Sequence, residues 1–347
     1  MIYIIYSLLI VLCCYLGGKK KKGAYFYRVF ACLAYICIVG FRHYSVGVDS
    51  ERYMELFDYL PDQNYIWLEI GFDRLVRFLS SLGFTYTGLF FACIILTAIP
   101  IFLTLEKTDH YTFSAILFYI LTLTSVTNGM RQCISVAIFV YGCYFIKERK
   151  IIPYLICIGF ALLFHYSCII LLPLYFLLNR SMSSLIYTLV YAFSFVFCFA
   201  DVSKIVEPLV FLISGLGRNY AEDFSYYAFG FGSLSILGFI FTTSINVLVF
   251  VIMIATDSFK KYPLLSNCVF ISLVLKNMTF SMPIIGRIAL FFSWFMYLLI
   301  PILVSLNKPK QLLLFARVAI CLLLSVGFVH NVTSSEMQMM PYKTSIK

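Results

Sequence analysis

The sequence predicts an all-α, polytopic integral membrane helical bundle of about 10–12 transmembrane or re-entrant helices with external amphipathic segments. Three observations predict it. Of the 347 residues, 62% are hydrophobic and 12% charged, too little polar surface for a globule in water. Apolar runs near the ~20 residues a helix needs to cross a bilayer recur between short charged clusters. The ~10-residue alternating segments of a membrane β-barrel are not seen.

In chain order, Ile2–Leu16 is the first span and lacks the small-residue cleavage site of a removable signal peptide. The run Lys19–Lys22 assigns the next turn to the cytoplasm and the N-terminus to the outside. Ala24–Phe41 crosses outward into a large external loop, 42–86. Within it Trp67, Ile70, Leu75, Phe78 and Leu79 can share one face while Glu69, Asp73, Arg74 and Arg77 sit elsewhere, which suits an interfacial amphipathic helix, or equally a solvated one, within Tyr65–Gly83. Thr87–Leu105 returns inward, Glu106–His110 turns, Tyr111–Thr127 goes out, and the chain reverses at Asn128–Gln132. Cys133–Ile146 comes back to the basic cluster Lys147–Lys150.

Ile151–Leu178 reads either as one long helix or as two arms meeting outside near His165. Only the two-armed reading keeps Lys260, Lys261, Lys308 and Lys310 inside, and it implies a cavity, because backbone that bends at membrane depth needs a protein or aqueous surround. Ser183–Ala200 then crosses outward to a second external loop, 201–232, and Ser233–Ala255, Leu264–Phe280, Ile288–Ser305 and Leu312–Val329 alternate to an external tail. The chain, 1–347, reads as a single membrane-embedded domain.

The net charge of +10 follows from topology and anionic lipid headgroups, so nucleic acid is not an expected partner. The twelve cysteines lie in or against apolar runs without metal-ligand spacing. Eleven of the fifteen lysines fall inside, as orientation rules require, but seven of the eleven arginines fall outside. Arginine presents a planar fork that grips phosphate and tolerates partial burial, and Arg42, Arg131 and Arg287 sit at headgroup depth. Each equally suits a snorkelling or paired side chain. His165, at the external break, is either a structural histidine or a base; Asp49 is the competing base and Asp223 a weaker candidate. Phosphate loops, dinucleotide fingerprints, zinc-protease and nucleophile-elbow motifs do not occur in the sequence.

Arg42, Gly47, Asp49 and Tyr53 reproduce the R-x4-G-x-D-x3-Y signature of the EpsG family, a branch of the Wzy-like bacterial polysaccharide polymerases. Asn128–Gln132 resembles its N-x-x-R-Q turn, His165-Tyr166-Ser167 its H-x-S element, Gly286-Arg287 its late arginine and Pro341-Tyr342 its terminal PY tail. Val48 departs from the small polar residue more usual there. The resemblance implies a metal-independent glycosyltransferase, without cofactor, in the bacterial cytoplasmic membrane. Its outward-facing site joins undecaprenyl-pyrophosphate-linked oligosaccharides into polymers such as O-antigen, exopolysaccharide, lipopolysaccharide or capsule. Arg42, Arg131 and Arg287 would hold the pyrophosphate, His165 or Asp49 would activate the acceptor hydroxyl, Gly47 would make a turn, and Tyr53, Gln132, Tyr166, Asp223 and Tyr342 would support the substrate. Membrane lipids and a polysaccharide chain-length regulator are the further implied partners. A lipid-linked oligosaccharide flippase and a membrane acyltransferase are the alternative readings.

Overall fold

The computed structural model describes residues 1–18, 23–62, 68–199, 236–279, 285–306 and 310–345. The Lys19–Lys22 run, Trp67 and the external loop 201–232 with Asp223 lie outside the described residues. What is described is all-α, and among the described residues the single β-type feature is an isolated antiparallel bridge between Arg42 and Thr344.

The chain divides into two compact units. The first comprises Met1–Leu177 and Val318–Lys347. Its helices are α1 (Ile2–Gly17), α2 (Ala24–Gly40), α3 (Ser50–Tyr59), α4 (Ile70–Ser81), α5 (Tyr86–Leu105), α6 (Tyr111–Leu121), α7 (Leu123–Asn128), α8 (Met130–Lys147), α9 (Ile151–Leu162) and the single turn α10 (Leu174–Leu177). Side-chain contacts sort the ends of these helices into two poles. At one pole Arg28 donates to the Gly17 carbonyl (2.8 Å), pairs with Glu106 (2.8 Å) and lies over the Tyr111 ring (4.4 Å), while Lys107 sits 3.2 Å from the Tyr144 ring centroid. At the other pole the end of α2 meets the α7–α8 junction, α4 meets the end of α9, and the C-terminal tail returns. Consecutive long helices therefore alternate in direction, as the charge pattern predicts.

Gly129 alone separates α7 from α8, so the expected five-residue reversal narrows to one residue, and Arg131 and Gln132 occupy the first turn of α8. The break near His165 is present: α9 ends at Leu162, His165 is extended (φ −157°, ψ 110°), and a 3-10 turn covers Tyr166–Leu171. The amphipathic helix is shorter than Tyr65–Gly83, and its buried face is corrected. Phe72, Val76 and Leu79 are buried whereas Ile70 and Phe78 are exposed. The register is set by protein packing: the Gly71 N–H donates to the Leu163 carbonyl at 2.9 Å, so close that a Cβ on residue 71 would sit 2.7 Å from the Leu163 Cβ.

The second unit, Leu178–Arg317, contains α11 (Ser184–Ser194), the single turn α12 (Val196–Phe199), α13 (Ile236–Ala255), the short α14 (Ser258–Lys261), α15 (Pro263–Met278), α16 (Ile285–Ser293) and α17 (Met296–Ser305). The boundary between the units falls within α18 (Lys310–Thr333). Tyr187 stacks on Phe259 at 3.6 Å and donates to the Asn267 side chain at 2.7 Å, and Asn267 donates to the Leu178 carbonyl at 2.8 Å, which ties the start of α11 to α15.

Among the described residues α5 is the one helix long and apolar enough to cross a membrane alone; α16 and α17, bent by 46°, pass together as a broken span. Nine other apolar helices run 10–17 residues. Of these, α6 ends before Thr122 and α9 before the extended His165. Large apolar side chains nonetheless cover outward faces: Ile4, Ile5, Leu8 and Leu12 on α1, Phe26 and Leu33 on α2, and Ile152, Ile156 and Phe160 on α9 are exposed.

The loop between α2 and α3 turns at Gly47, whose φ of +97° lies in the left-handed region. A Cβ there would stand 2.6 Å from Thr127 Cγ2 and 2.7 Å from Asn128 Oδ1. Gly47→Ala combines backbone strain with overpacking and is expected to destabilise the fold by roughly 2 kcal/mol. Thermal unfolding of the detergent-solubilised protein measures it, and an unchanged midpoint would contradict the required turn.

Candidate functional site

Arg42 follows the last turn of α2 and is 1% exposed. Its guanidinium donates to the Val39 carbonyl (2.5 Å), the Thr127 carbonyl (3.1 Å), Ser50 Oγ (3.3 Å) and Met130 Sδ (3.2 Å), and lies 4.0 Å above the Phe90 ring. Burial pulls its pKa down to about 10, which leaves it charged at neutral pH. The structure places Arg42, expected at headgroup depth as a phosphate contact, in the interior, where α2, α3, α5, α7 and α8 converge on it. The physical reason is the fork geometry, which lets one side chain satisfy carbonyl and hydroxyl acceptors from several helix ends at once.

The loop around Arg42 is held by the tail. His43 N–H donates to the Lys343 carbonyl (2.9 Å), Gly47 N–H to the Gln338 carbonyl (2.9 Å), and Ser345 N–H to the Phe41 carbonyl (2.8 Å). Tyr342, expected beside the substrate, donates to the Ile38 carbonyl (2.8 Å) and packs edge-on against Tyr3. Val48 N–H donates to Asn128 Oδ1 (2.8 Å), so the asparagine of the N-x-x-R-Q element fixes the residue next to Asp49.

Arg131 and His165, 34 positions apart in the chain, are brought together by a residue the sequence reading assigned to a polar helix face. Glu69, extended just before α4, is 7% exposed. Its Oε2 accepts from Arg131 Nη1 at 2.5 Å, and its Oε1 lies 3.5 Å from His165 Nδ1. The Arg131 guanidinium also faces two rings, Phe72 at 5.5 Å and Tyr53 at 6.0 Å, and these rings meet edge-on at 5.8 Å. The Arg131 and His165 side chains keep 29% and 21% of their surface, so the cluster is lined by protein yet reachable.

Two opposed effects act on Glu69. Burial raises its carboxyl pKa, but the nearby His165 imidazole and the charge of Arg131 outweigh burial and hold it below its ordinary value. The signal that could have identified Glu69 is the glycine two residues later: close packing at Gly71 brings the start of α4 against the break that carries His165.

Of the other expected site residues, Asp49 is the half-buried residue before α3, and its charge is felt at the buried Tyr53 hydroxyl. Gln132 is buried. Tyr166 is exposed and its hydroxyl reaches the Leu68 carbonyl at 3.4 Å, on the strand of chain leading to Glu69. Arg287 is an exposed residue of α16 in the second unit.

A model of the EpsG family matches residues 25–344 of the chain. No curated protein and no solved structure matches it.

Two outcomes follow from this geometry. Arg42→Lys keeps the charge but loses the planar fork, and should destabilise the solubilised protein by about 3 kcal/mol, read as a lowered thermal midpoint. A carboxyl held below its ordinary pKa stabilises the fold above its unfolded value and loses that contribution as pH falls through its folded value. Glu69→Gln should therefore flatten the loss of stability below about pH 4.5, measured as thermal midpoint against pH.

Proposed function

The chain belongs to the EpsG family, and on that premise we propose that it is a bacterial membrane polymerase joining undecaprenyl-pyrophosphate-linked oligosaccharide repeat units on the outer face of the cytoplasmic membrane. Membership supports polysaccharide biosynthesis at a bacterial membrane. The observation that carries the finer reading is the guanidinium, carboxylate and imidazole gathered at one pole by Arg131, Glu69 and His165.

In this reading the whole chain, 1–347, is one polymerase domain that crosses the membrane many times. The exposed apolar faces of α1, α2 and α9 support it, because water does not tolerate such contiguous surface. Helices of 16 or 17 residues span about 24–26 Å at 1.5 Å per residue, close to the hydrocarbon thickness once their flanking polar residues reach the headgroups. The Arg28, Glu106 and Lys107 pole faces the cytoplasm, and the Arg131 pole faces outward.

Chemically, the donor already carries a good leaving group, so the protein has to hold the diphosphate and remove one proton. Arg131 binds the diphosphate and stabilises the charge that develops on it as the glycosidic bond forms. His165 takes the proton of the acceptor hydroxyl, with Asp49 as the second candidate base. Gln132 and Tyr166 offer hydrogen bonds to the sugars, and Arg42, Gly47, Tyr53 and Tyr342 hold the loop and the ring wall that frame them.

The test is polymerisation of a defined lipid-linked repeat unit by the purified protein. Arg131→Ala should lower kcat/KM by roughly 10²–10³ and His165→Ala by roughly 10²–10⁴. In cells both variants should accumulate lipid-linked monomer on the outer leaflet. Monomer trapped on the inner leaflet would indicate a flippase instead, and full-length polymer lacking acyl groups an acyltransferase.

A further inference from the structure

We propose that Glu69 is a positioning residue that holds Arg131 while the site is empty, releases it to the substrate's diphosphate, and then serves His165 alone. The proposal deepens the polymerase reading and rests on it for the identity of the diphosphate.

The geometry is asymmetric in an informative way. One carboxylate faces two cationic partners with its two oxygens: Arg131 is engaged at 2.5 Å, whereas His165 stands off at 3.5 Å. A hydrogen bond from an imidazole to a carboxylate closes to roughly 2.7–2.9 Å, so the second contact is incomplete while the first is full. Glu69 is the member that cannot follow its partners. It is 7% exposed, its carbonyl accepts from Asp73 N–H (3.0 Å) in the first turn of α4, and two residues on, Gly71 is clamped to the Leu163 carbonyl. Arg131 can move: its side chain is long, retains 29% of its surface, and lies over the Phe72 ring, which imposes no hydrogen-bond direction, and near Tyr53.

The guanidinium is also under-used. Arg131 Nε is buried with no hydrogen-bond partner, a donor that costs free energy until an acceptor reaches it. A diphosphate presents several anionic oxygens spaced to meet two nitrogens of the fork, which a single Glu69 oxygen does not. On its arrival the guanidinium passes to the phosphate and the carboxylate is left to His165. The titratable groups facing the Glu69 carboxylate are then His165 at the break, Cys168 in the 3-10 turn and Arg131 on α8, with Tyr53 of α3 facing the same guanidinium.

The reaction balances as follows. The acceptor oxygen forms a bond to the anomeric carbon, and the bond from that carbon to the diphosphate oxygen breaks. The electron pair leaves on the diphosphate against Arg131. The hydroxyl proton passes to His165 Nε2, and the imidazolium so formed keeps its Nδ1 proton toward Glu69 Oε1. Release of polyprenyl diphosphate returns Arg131 to Glu69, and the extra proton goes to water.

The experiment measures binding of undecaprenyl pyrophosphate to the full-length solubilised protein beside polymerisation of a lipid-linked repeat unit. Wild type, Glu69→Gln, Glu69→Asp and Arg131→Ala are compared. Glu69→Gln should bind the diphosphate at least threefold more tightly, because its competitor for Arg131 is gone, while turnover falls at least tenfold. The acid limb of its pH profile should move to lower pH, because the imidazole loses its anionic partner. Glu69→Asp should recover most of the turnover, and it answers the question if the glutamine variant does not fold. A merely structural Glu69 would weaken binding and turnover together, and that result, or turnover unchanged in Glu69→Gln, overturns the proposal. If wild type makes no polymer while Glu69→Gln still binds more tightly and Arg131→Ala more weakly, the exchange stands and the polymerase reading falls. If wild type polymerises and Glu69→Gln binds no more tightly, the exchange falls alone.

Discussion

A buried arginine organises the first unit. Four helix termini and a loop meet around it, and the C-terminal ends among them leave carbonyl groups without partners. Arg42 resolves this by spending its donors on the Val39 and Thr127 carbonyls, Ser50 Oγ and Met130 Sδ while its flat face covers Phe90. A desolvated cation without such acceptors would be strongly destabilising. The same constraint explains the neighbouring sequence. Gly47 must turn with positive φ beside Thr127, Asn128 must hold the Val48 amide, and the tail must satisfy the backbone of residues 41–47.

A second constraint, steric rather than electrostatic, gives the site its composition. At Gly71 the start of α4 lies against the Leu163 carbonyl, where no side chain fits. That contact presents a carboxylate to the break in the chain and so joins α4, α8 and the His165 segment through a single residue. Arg42 and Arg131 thus use the same chemistry in opposite ways. One has its donors consumed by protein in a closed interior, and the other keeps surface and an unmatched nitrogen beside a carboxylate.

Both poles are closed by arginine side chains. Where Arg28, Glu106 and Lys107 meet, the ion pair and the ring contacts close off helix ends. At both poles arginines engage carbonyls, carboxylates and aromatic faces, Arg28 at one and Arg42 and Arg131 at the other, contacts for which a planar guanidinium is suited and a compact ammonium is not.

Much of the molecule was determined by the sequence alone. Helical class, element order, the break at His165, the turn at Gly47 and the grouping of Arg42, Gly47, Asp49 and Tyr53 into one short segment all depend on local composition, local backbone preference or contiguous motifs. Tertiary structure decided the rest. Arg42 and Arg131 are alike as letters at the ends of apolar runs, and only the convergence of other elements makes one an anchor and leaves the other accessible. Glu69 read as one more charge on an amphipathic helix, because its partners lie 62 and 96 positions later. Periodicity reports which face of a helix is apolar; it does not report which distant cations a carboxylate will meet. That depends on how closely two backbones approach, here set by the missing side chain of Gly71.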